Sequence, residues 1–396
     1  LAQNPQLSVF PYDLRAADAR VLQAGLRPNP EVQIDVEEFG GQAERSGFEA
    51  AETTLQVGQP IELGGKRSRR TQVARLDRER LQWDYRAARL DVIRRSTLAF
   101  VAVLAAQERL SLAEQILDLS HRARAAVSQR VKAGKDSPVD EVRADVASSE
   151  SRIERQKAEA MLAAARQTLA ALWGSQMPRF ERAVHDFYEI SSPTPLAEMT
   201  DAMVDNPDLS RWATEQQRRR AVLDLEKAQA SPDITLGGGL RRFEQTDDLA
   251  MVFGLTMPLP LANRNQGGIR AAAEDLAKTC RQYEAARMEA WAALSQAAAA
   301  LASSHDEIVI SREDVLPKAR QAFEAAQQGY LQGKFDYLYV LDAQRTLFST
   351  QARYIDSVEA YHKAHADVDR LLGRPLDPTS GQGPSNSGRP RPLVEN

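Results

Sequence analysis

The chain has 396 residues, 43% of them hydrophobic and 6% aromatic, with 51 basic against 55 acidic side chains for a formal charge of −4. That balance excludes a global positive field of the kind nucleic-acid binding needs, and the single cysteine, Cys280, excludes a disulfide framework or a thiolate metal cluster. A globular chain of this length would be two or three domains, but Ala, Gln, Glu and Arg dominate the long middle stretches, a composition of long helices lying side by side, so an elongated shape is expected.

The chain begins at Leu1 without a charged-then-apolar leader, which reads as a mature or trimmed form. A helix is expected over about 4–25, followed by two alternating segments. Residues 31–39 place Val32, Ile34 and Val36 on one face and Glu31, Gln33, Asp35 and Glu37 on the other; residues 52–60 set Leu55 and Val57 against Glu52, Thr54 and Gln56. Pro60 and Gly64-Gly65 end this pattern. The 68 residues from Lys66 to Ala133 contain neither glycine nor proline, and as one helix they would be on the order of 100 Å long. Val73, Leu76, Trp83, Ala87, Leu90, Thr97, Val101 and Leu104 follow three-and-four spacing, so coiled-coil-like packing is expected. A turn at Gly134 returns the chain as a second helix, about 138–173. The longest apolar run, Leu98 to Ala106, is nine residues against the roughly 20 of a membrane-spanning helix, so no transmembrane helix is expected.

From about 206 the pattern repeats. Asn4-Pro5-Gln6-Leu7-Ser8 returns as Asn206-Pro207-Asp208-Leu209-Ser210, and Pro30-Glu31-Val32 as Pro232-Asp233-Ile234. Pro60-Ile61-Glu62-Leu63 returns as Pro258-Leu259-Pro260-Leu261, Ala133-Gly134-Lys135 as Gln332-Gly333-Lys334, and Leu172-Trp173-Gly174 as Leu371-Leu372-Gly373. Five matches in order at an offset near 200 predict a duplicated unit. The first repeat is 1–174. A proline-bearing connection follows over 175–205. The second repeat, 206–373, has a helix at about 206–229, strands at about 233–242 and 248–258, and a helical hairpin over about 265–372 with its tip at Gly333. Residues 374–396, rich in Pro, Gly and Ser, read as a disordered tail.

Each of the four segments is roughly 8–10 residues, close to the 9–11 of a transmembrane β-strand, and a lone hairpin is marginal in water. Four strands cannot close a barrel, and open edges are not tolerated in lipid, so a barrel requires several copies of the chain. Its apolar faces would meet lipid, and Glu31, Gln33, Asp35, Glu37, Glu52 and Gln56 would line a cation-favouring lumen. Two soluble hairpins packed on helices would show the same alternation. Gly237-Gly238-Gly239 lies inside a strand pattern and reads as relief of crowding in the wall.

These duplicated halves, each with two strands and a long helical hairpin, resemble the outer membrane factor family typified by TolC. Leu26-Arg27-Pro28-Asn29-Pro30-Glu31 and Pro60-Ile61-Glu62-Leu63-Gly64-Gly65-Lys66-Arg67 are similar to the branch that includes CzcC and CusC and serves heavy-metal RND exporters. The resemblance implies an α+β membrane protein without enzymatic activity or cofactor. It implies a homotrimer in the outer membrane of a Gram-negative bacterium, with twelve strands in one barrel and a periplasmic tunnel of helices. Its partners would be outer-membrane lipid, a periplasmic adaptor (membrane fusion protein) and an inner-membrane RND pump. Some relatives carry an N-terminal lipid anchor, which this N-terminus leaves open. Carried over by position, the adaptor- and pump-contacting tips are Val131, Lys132, Ala133, Gly134 and Lys135, with Tyr330, Leu331, Gln332, Gly333 and Lys334. TolC-like pores narrow beyond the second turn with two aspartates; Asp342 matches one, Tyr339 stands where the other would be, and Asp336 is the candidate substitute. Pro317, sixteen residues before Gly333, predicts that the second hairpin bends and closes the pore.

Other chemistry is sparse. Of five histidines, His362 and His365 stand at i, i+3 and are the sole candidate metal pair, without a third ligand. Phosphate-loop, Ser/His/Asp and metalloprotease patterns are absent. The expected function is a passive exit duct of a tripartite efflux system for divalent heavy-metal cations. A duct for drugs or other organic compounds is the alternative within that class, and a soluble coiled-coil scaffold the alternative outside it.

Overall fold

The computed structural model describes residues 4–203 and 206–374. In chain order the elements are α1 (Phe10–Ala24), β1 (Glu31–Glu37), β2 (Glu52–Ile61), α2 (Lys66–Lys132), α3 (Pro138–Ala171), α4 (Leu196–Ala202), α5 (Pro207–Gln229), β3 (Ile234–Phe243), β4 (Asp248–Thr256), α6 (Gln266–Ile310), α7 (Leu316–Leu331) and α8 (Tyr337–Leu371). The protein is thus α+β, with its helices far longer than its strands. The first helix begins later than its sequence pattern suggests, because Asn4 to Val9 form a cap and a 3-10 turn. The connection contains a short helix, α4, that its prolines had hidden. The expected tail lies, apart from Arg374, outside the described residues.

Local chemistry sets the breaks. Gly64 and Gly65 have φ of 69° and 73°, a region that costs other residues strain, and they turn the end of β2 into the start of α2. Gly134 and Gly333, at φ 72° and 73°, end α2 and α7 identically: Lys135 N–H donates to Arg130 O (2.9 Å), and Lys334 N–H to Gly329 O (2.8 Å). The long helices differ in continuity. α2 runs unbroken for 67 residues, whereas α6 and α7 are separated by a π turn, Ser311–Val315, just before Pro317. Proline has no N–H to give the preceding turn, and the wider ladder absorbs the missing bond.

The four strands form one antiparallel sheet in the order β1-β2-β3-β4. Val32, Val57, Gly238 and Phe253 lie in one row, and Ile34, Leu55, Leu240 and Met251 in the next. This face is apolar across all four strands and bare, with Met251 90% and Val32 68% exposed.

The chain divides into two compact units, each drawing on both halves of the sequence. One comprises 9–86 and 207–287 and holds the sheet. Below the strands its joints are polar. Arg70 binds Glu62 with both guanidinium ends (2.6 and 3.2 Å) and donates to Ala24 O (3.0 Å), tying α1, β2 and α2 together. Lys66, at the start of α2, meets Asp233 at 2.7 Å. Trp83 donates to Thr214 Oγ1 (3.1 Å).

The other unit comprises residues up to 8, 87–206 and 288 onward. Its fully buried side chains include Val92, Val103, Val127, Leu294, Ile308 and Val358. By length and composition alone, one 18-residue window of α2 would pass as a membrane span. Packing gives the apolar run a different role: Ala99, Val101, Val103, Leu104, Ala105 and Ala106 are buried in this unit's own core. Two repeated motifs also meet here. Asn4 Nδ2 donates to Leu172 O and Asn206 Nδ2 to Leu371 O, each at 2.6 Å, while Asn4 Oδ1 accepts from Leu7 N (3.2 Å). Asn4→Ala removes a cap and leaves a helix-end carbonyl unpaired, an expected loss of about 1–2 kcal/mol. Thermal unfolding of Asn4→Ala at the wild-type midpoint would refute this role.

Candidate pore face and tip cluster

The second sheet face is polar, and strand register gathers the candidate lumen residues onto it. Glu37 and Glu52 share a row with Phe243, Asp35 with Thr54 and Arg241, Gln33 with Gln56 and Gly239, and Glu31 with Gly58 and Gly237. Arg241 was not among the residues read from the sequence. It donates to Glu52 (2.8 Å), Glu37 (3.2 Å) and Thr54 Oγ1 (2.9 Å), so two of the four carboxylates are paired by a cation on the same face. Its signal was present: if Leu236 and Leu240 face lipid, period two sends Arg241 the other way. Among the described residues Asp35 accepts a side-chain bond only from Gln33 (3.1 Å) and Glu31 forms no ion pair, so both charges remain available to a passing cation. Gln56 lies over the glycines, and a Cβ at Gly237 would come within 2.5 Å of its amide nitrogen.

Within the other unit, α2, α3, α7 and α8 share a small core of Val127, Ala144, Ala326, Tyr330, Tyr337 and Val340. Above it Arg130 and Asp136, six residues apart around the Gly134 turn, form a two-pronged ion pair (2.9 and 3.0 Å). Tyr330 from the second hairpin donates its hydroxyl to Asp136 (2.5 Å), and the Arg130 guanidinium lies 4.5 Å from its ring centroid. Hydrogen bonds from Arg130 hold the Asp136 carboxyl below its ordinary pKa despite burial. Burial, then the bond to Asp136, holds the Tyr330 phenol well above its own. Of the ten tip residues, Lys132, Ala133, Gly134, Lys135, Leu331, Gln332, Gly333 and Lys334 are exposed and Val131 is half-buried. Tyr330 is 5% exposed and points inward, joining the two hairpins to each other.

Asp336, Tyr339 and Asp342 follow three-residue spacing along one side of α8, and all are exposed. The Tyr339 ring lies 5.6 Å from that of Phe335. His362 and His365 do not converge on a common point. His362 Nε2 bonds Phe187 O (2.8 Å) and burial lowers its pKa, whereas His365 Nδ1 pairs with Asp369 (3.0 Å), which raises its own. Among the described residues no group of three or more His, Cys, Asp or Glu side chains is placed to hold a metal.

Comparison with known proteins accords with this architecture. The family description "Outer membrane efflux protein" matches residues 1–175 and 199–374. The cobalt-zinc-cadmium resistance protein CzcC of Cupriavidus metallidurans is 37% identical over 372 residues, covering 94% of this chain and 87% of the relative. The nickel-cobalt-cadmium resistance protein NccC of Alcaligenes xylosoxydans xylosoxydans is 27% identical over 77% of this chain and 69% of its own. Among solved structures, CusC superposes with a TM-score of 0.79 at 19% identity, over 94% of this chain and 89% of the other. VceC of Vibrio cholerae gives 0.76 at 17%, over 94% of each.

Proposed function

Because this chain belongs to the outer membrane efflux protein family, we propose that it forms the homotrimeric exit duct of a tripartite efflux system and passes divalent heavy-metal cations without catalysing a reaction. The observation that carries the reading is the sheet: four strands, one face apolar and bare, the other polar, with β1 and β4 as open edges. In lipid those edges must be paired, and three copies would close twelve strands into one barrel. The protomer would consist of two repeats, 1–174 and 206–373, joined by 175–205. Its helical hairpins would extend into the periplasm and present their exposed turns to an adaptor and an inner-membrane RND pump.

Metal as cargo is supported by the names of the similar proteins CzcC and NccC and by the unneutralised Glu31 and Asp35. A specific observation keeps the organic-compound duct as second reading: the pyoverdine export protein OpmQ of Pseudomonas putida is 27% identical over 86% of this chain. The test has two arms. Purified protein is expected to require detergent and to have about three times the 43.8 kDa chain mass; a water-soluble monomer would sink the duct. A deletion strain is expected to lose tolerance to cobalt, zinc, cadmium or nickel. Unchanged tolerance to all of them and to copper would leave the duct and remove its metal cargo.

A further inference from the structure

Beside the start of β1 lies a groove of about 510 Å³ lined by Arg20, Gln23, Leu26, Arg27, Pro28 and the Glu62–Arg70 pair. Its charge is lopsided for a chain that is acidic overall. Glu62 is neutralised by Arg70 (2.6 Å), whereas Arg20 and Arg27 have no ion-pair or hydrogen-bond partner among the described residues. One bare leucine, Leu26 (49% exposed), lines the groove with these cations. The groove's height is set by a hydrogen bond: Gln59 Nε2 donates to Pro28 O (3.1 Å), and Gln59 shares its strand row with Leu236 and Leu255, which belong to the lowest part of the apolar face. Unpaired cations therefore sit at the helical end of the apolar band, beside an exposed apolar side chain, Leu26. A phospholipid headgroup occupies that boundary, where arginine recognises phosphate as a planar fork.

We propose that this groove binds the headgroup of an anionic phospholipid in the periplasm-facing leaflet, with Arg20 and Arg27 as its phosphate donors. The proposal rests on the apolar sheet face meeting lipid. It adds a lipid site to the duct reading, and wild-type detergent dependence and trimer mass judge that reading separately.

The test is native mass spectrometry of the full-length protein in micelles doped with phosphatidylglycerol or phosphatidylcholine. Wild type is expected to retain phosphatidylglycerol in preference. The double variant Arg20→Gln/Arg27→Gln is expected to lose roughly thirtyfold of that retention, the size of two basic contacts with an anionic surface. Arg15→Gln removes a charge from the same helix where Arg15 lies over the Tyr12 ring, and is expected to bind as wild type. Equal retention of the two lipids, or unchanged retention by the double variant, overturns the proposal. So does displacement of phosphatidylglycerol by millimolar inorganic phosphate, which would mark a free-phosphate site. A fall in oligomeric mass in the double variant would assign the groove to a neighbouring copy, with the same consequence.

Discussion

Gly239→Ala is expected to destabilise the folded sheet by about 3 kcal/mol, while Gly238→Ala, one residue away, is expected to be neutral or slightly stabilising. The two glycines belong to the same strand, and neither has a positive φ. They differ in what a methyl group would meet. At Gly239 an added Cβ overlaps the Leu55 carbonyl oxygen and comes within 2.8 Å of Gln56 Cα, both of them backbone atoms of β2. Relief requires β2 and β3 to separate, and theirs is the ladder that joins the first half of the chain to the second within the sheet. At Gly238, on the apolar face, nothing lies within 4 Å. Gly237 is intermediate, because its obstacle is the Gln56 side chain, which can swing away. Thermal unfolding in detergent reads the difference directly, and equal midpoints for the 238 and 239 variants would contradict the close approach of β2 to β3.

The glycine triplet also marks how far sequence pattern reaches. Alternation placed four strands close to their observed ends, because a half-buried strand writes its geometry into every second residue. The repeated Asn-Pro and Leu-x-Gly motifs announced a duplication, and Asn4 with Leu172 and Asn206 with Leu371 prove to be bonded partners. The pairing of β2 with β3 was not legible: Thr54 and Arg241 are 187 positions apart, and local pattern carries no information about register at that range. For the same reason the ion pairs of Arg241 with Glu37 and Glu52 could not be read from the sequence, although period two places Arg241 on their face. Carry-over by position from the resembling family counts Tyr330 among the contacting tip residues. Helical phase decides otherwise, since it stands four residues after Ala326 on the buried side of α7. Pro317 was legible as a break, but proline alone does not say whether a helix kinks or widens, and here a π turn precedes it.

Asp136→Ala is expected to raise the conductance of the channel in planar bilayers, because Asp136 is the atom group through which the two hairpins are tied. Separating the hairpins breaks the Tyr330–Asp136 bond, removes Arg130 from the Tyr330 ring and exposes Tyr330, Tyr337 and Val340 to water. A hydrogen bond to a charged group contributes about 1.5–3 kcal/mol, so its loss should shift the ratio of joined to separated tips by roughly ten- to a hundredfold. Tyr330→Phe removes the same bond while keeping the ring and its contact with Arg130, so it should give a shift of that size, and Asp136→Ala should exceed it only by what releasing Arg130 adds. The pH dependence follows from the sign of the shifts. The Asp136 pKa is lowered in the folded chain, so its contribution is complete above the ordinary carboxylate value of about 4 and is lost as pH falls through the lowered value. The Tyr330 pKa is raised, so its hydroxyl keeps donating through the neutral and mildly alkaline range. Wild-type conductance should therefore be flat in this contact between about pH 5 and 9 and rise only in strong acid. Wild-type conductance in both variants, or opening with a midpoint near pH 6–7, would show that the Arg130–Asp136–Tyr330 contact does not hold the tips together.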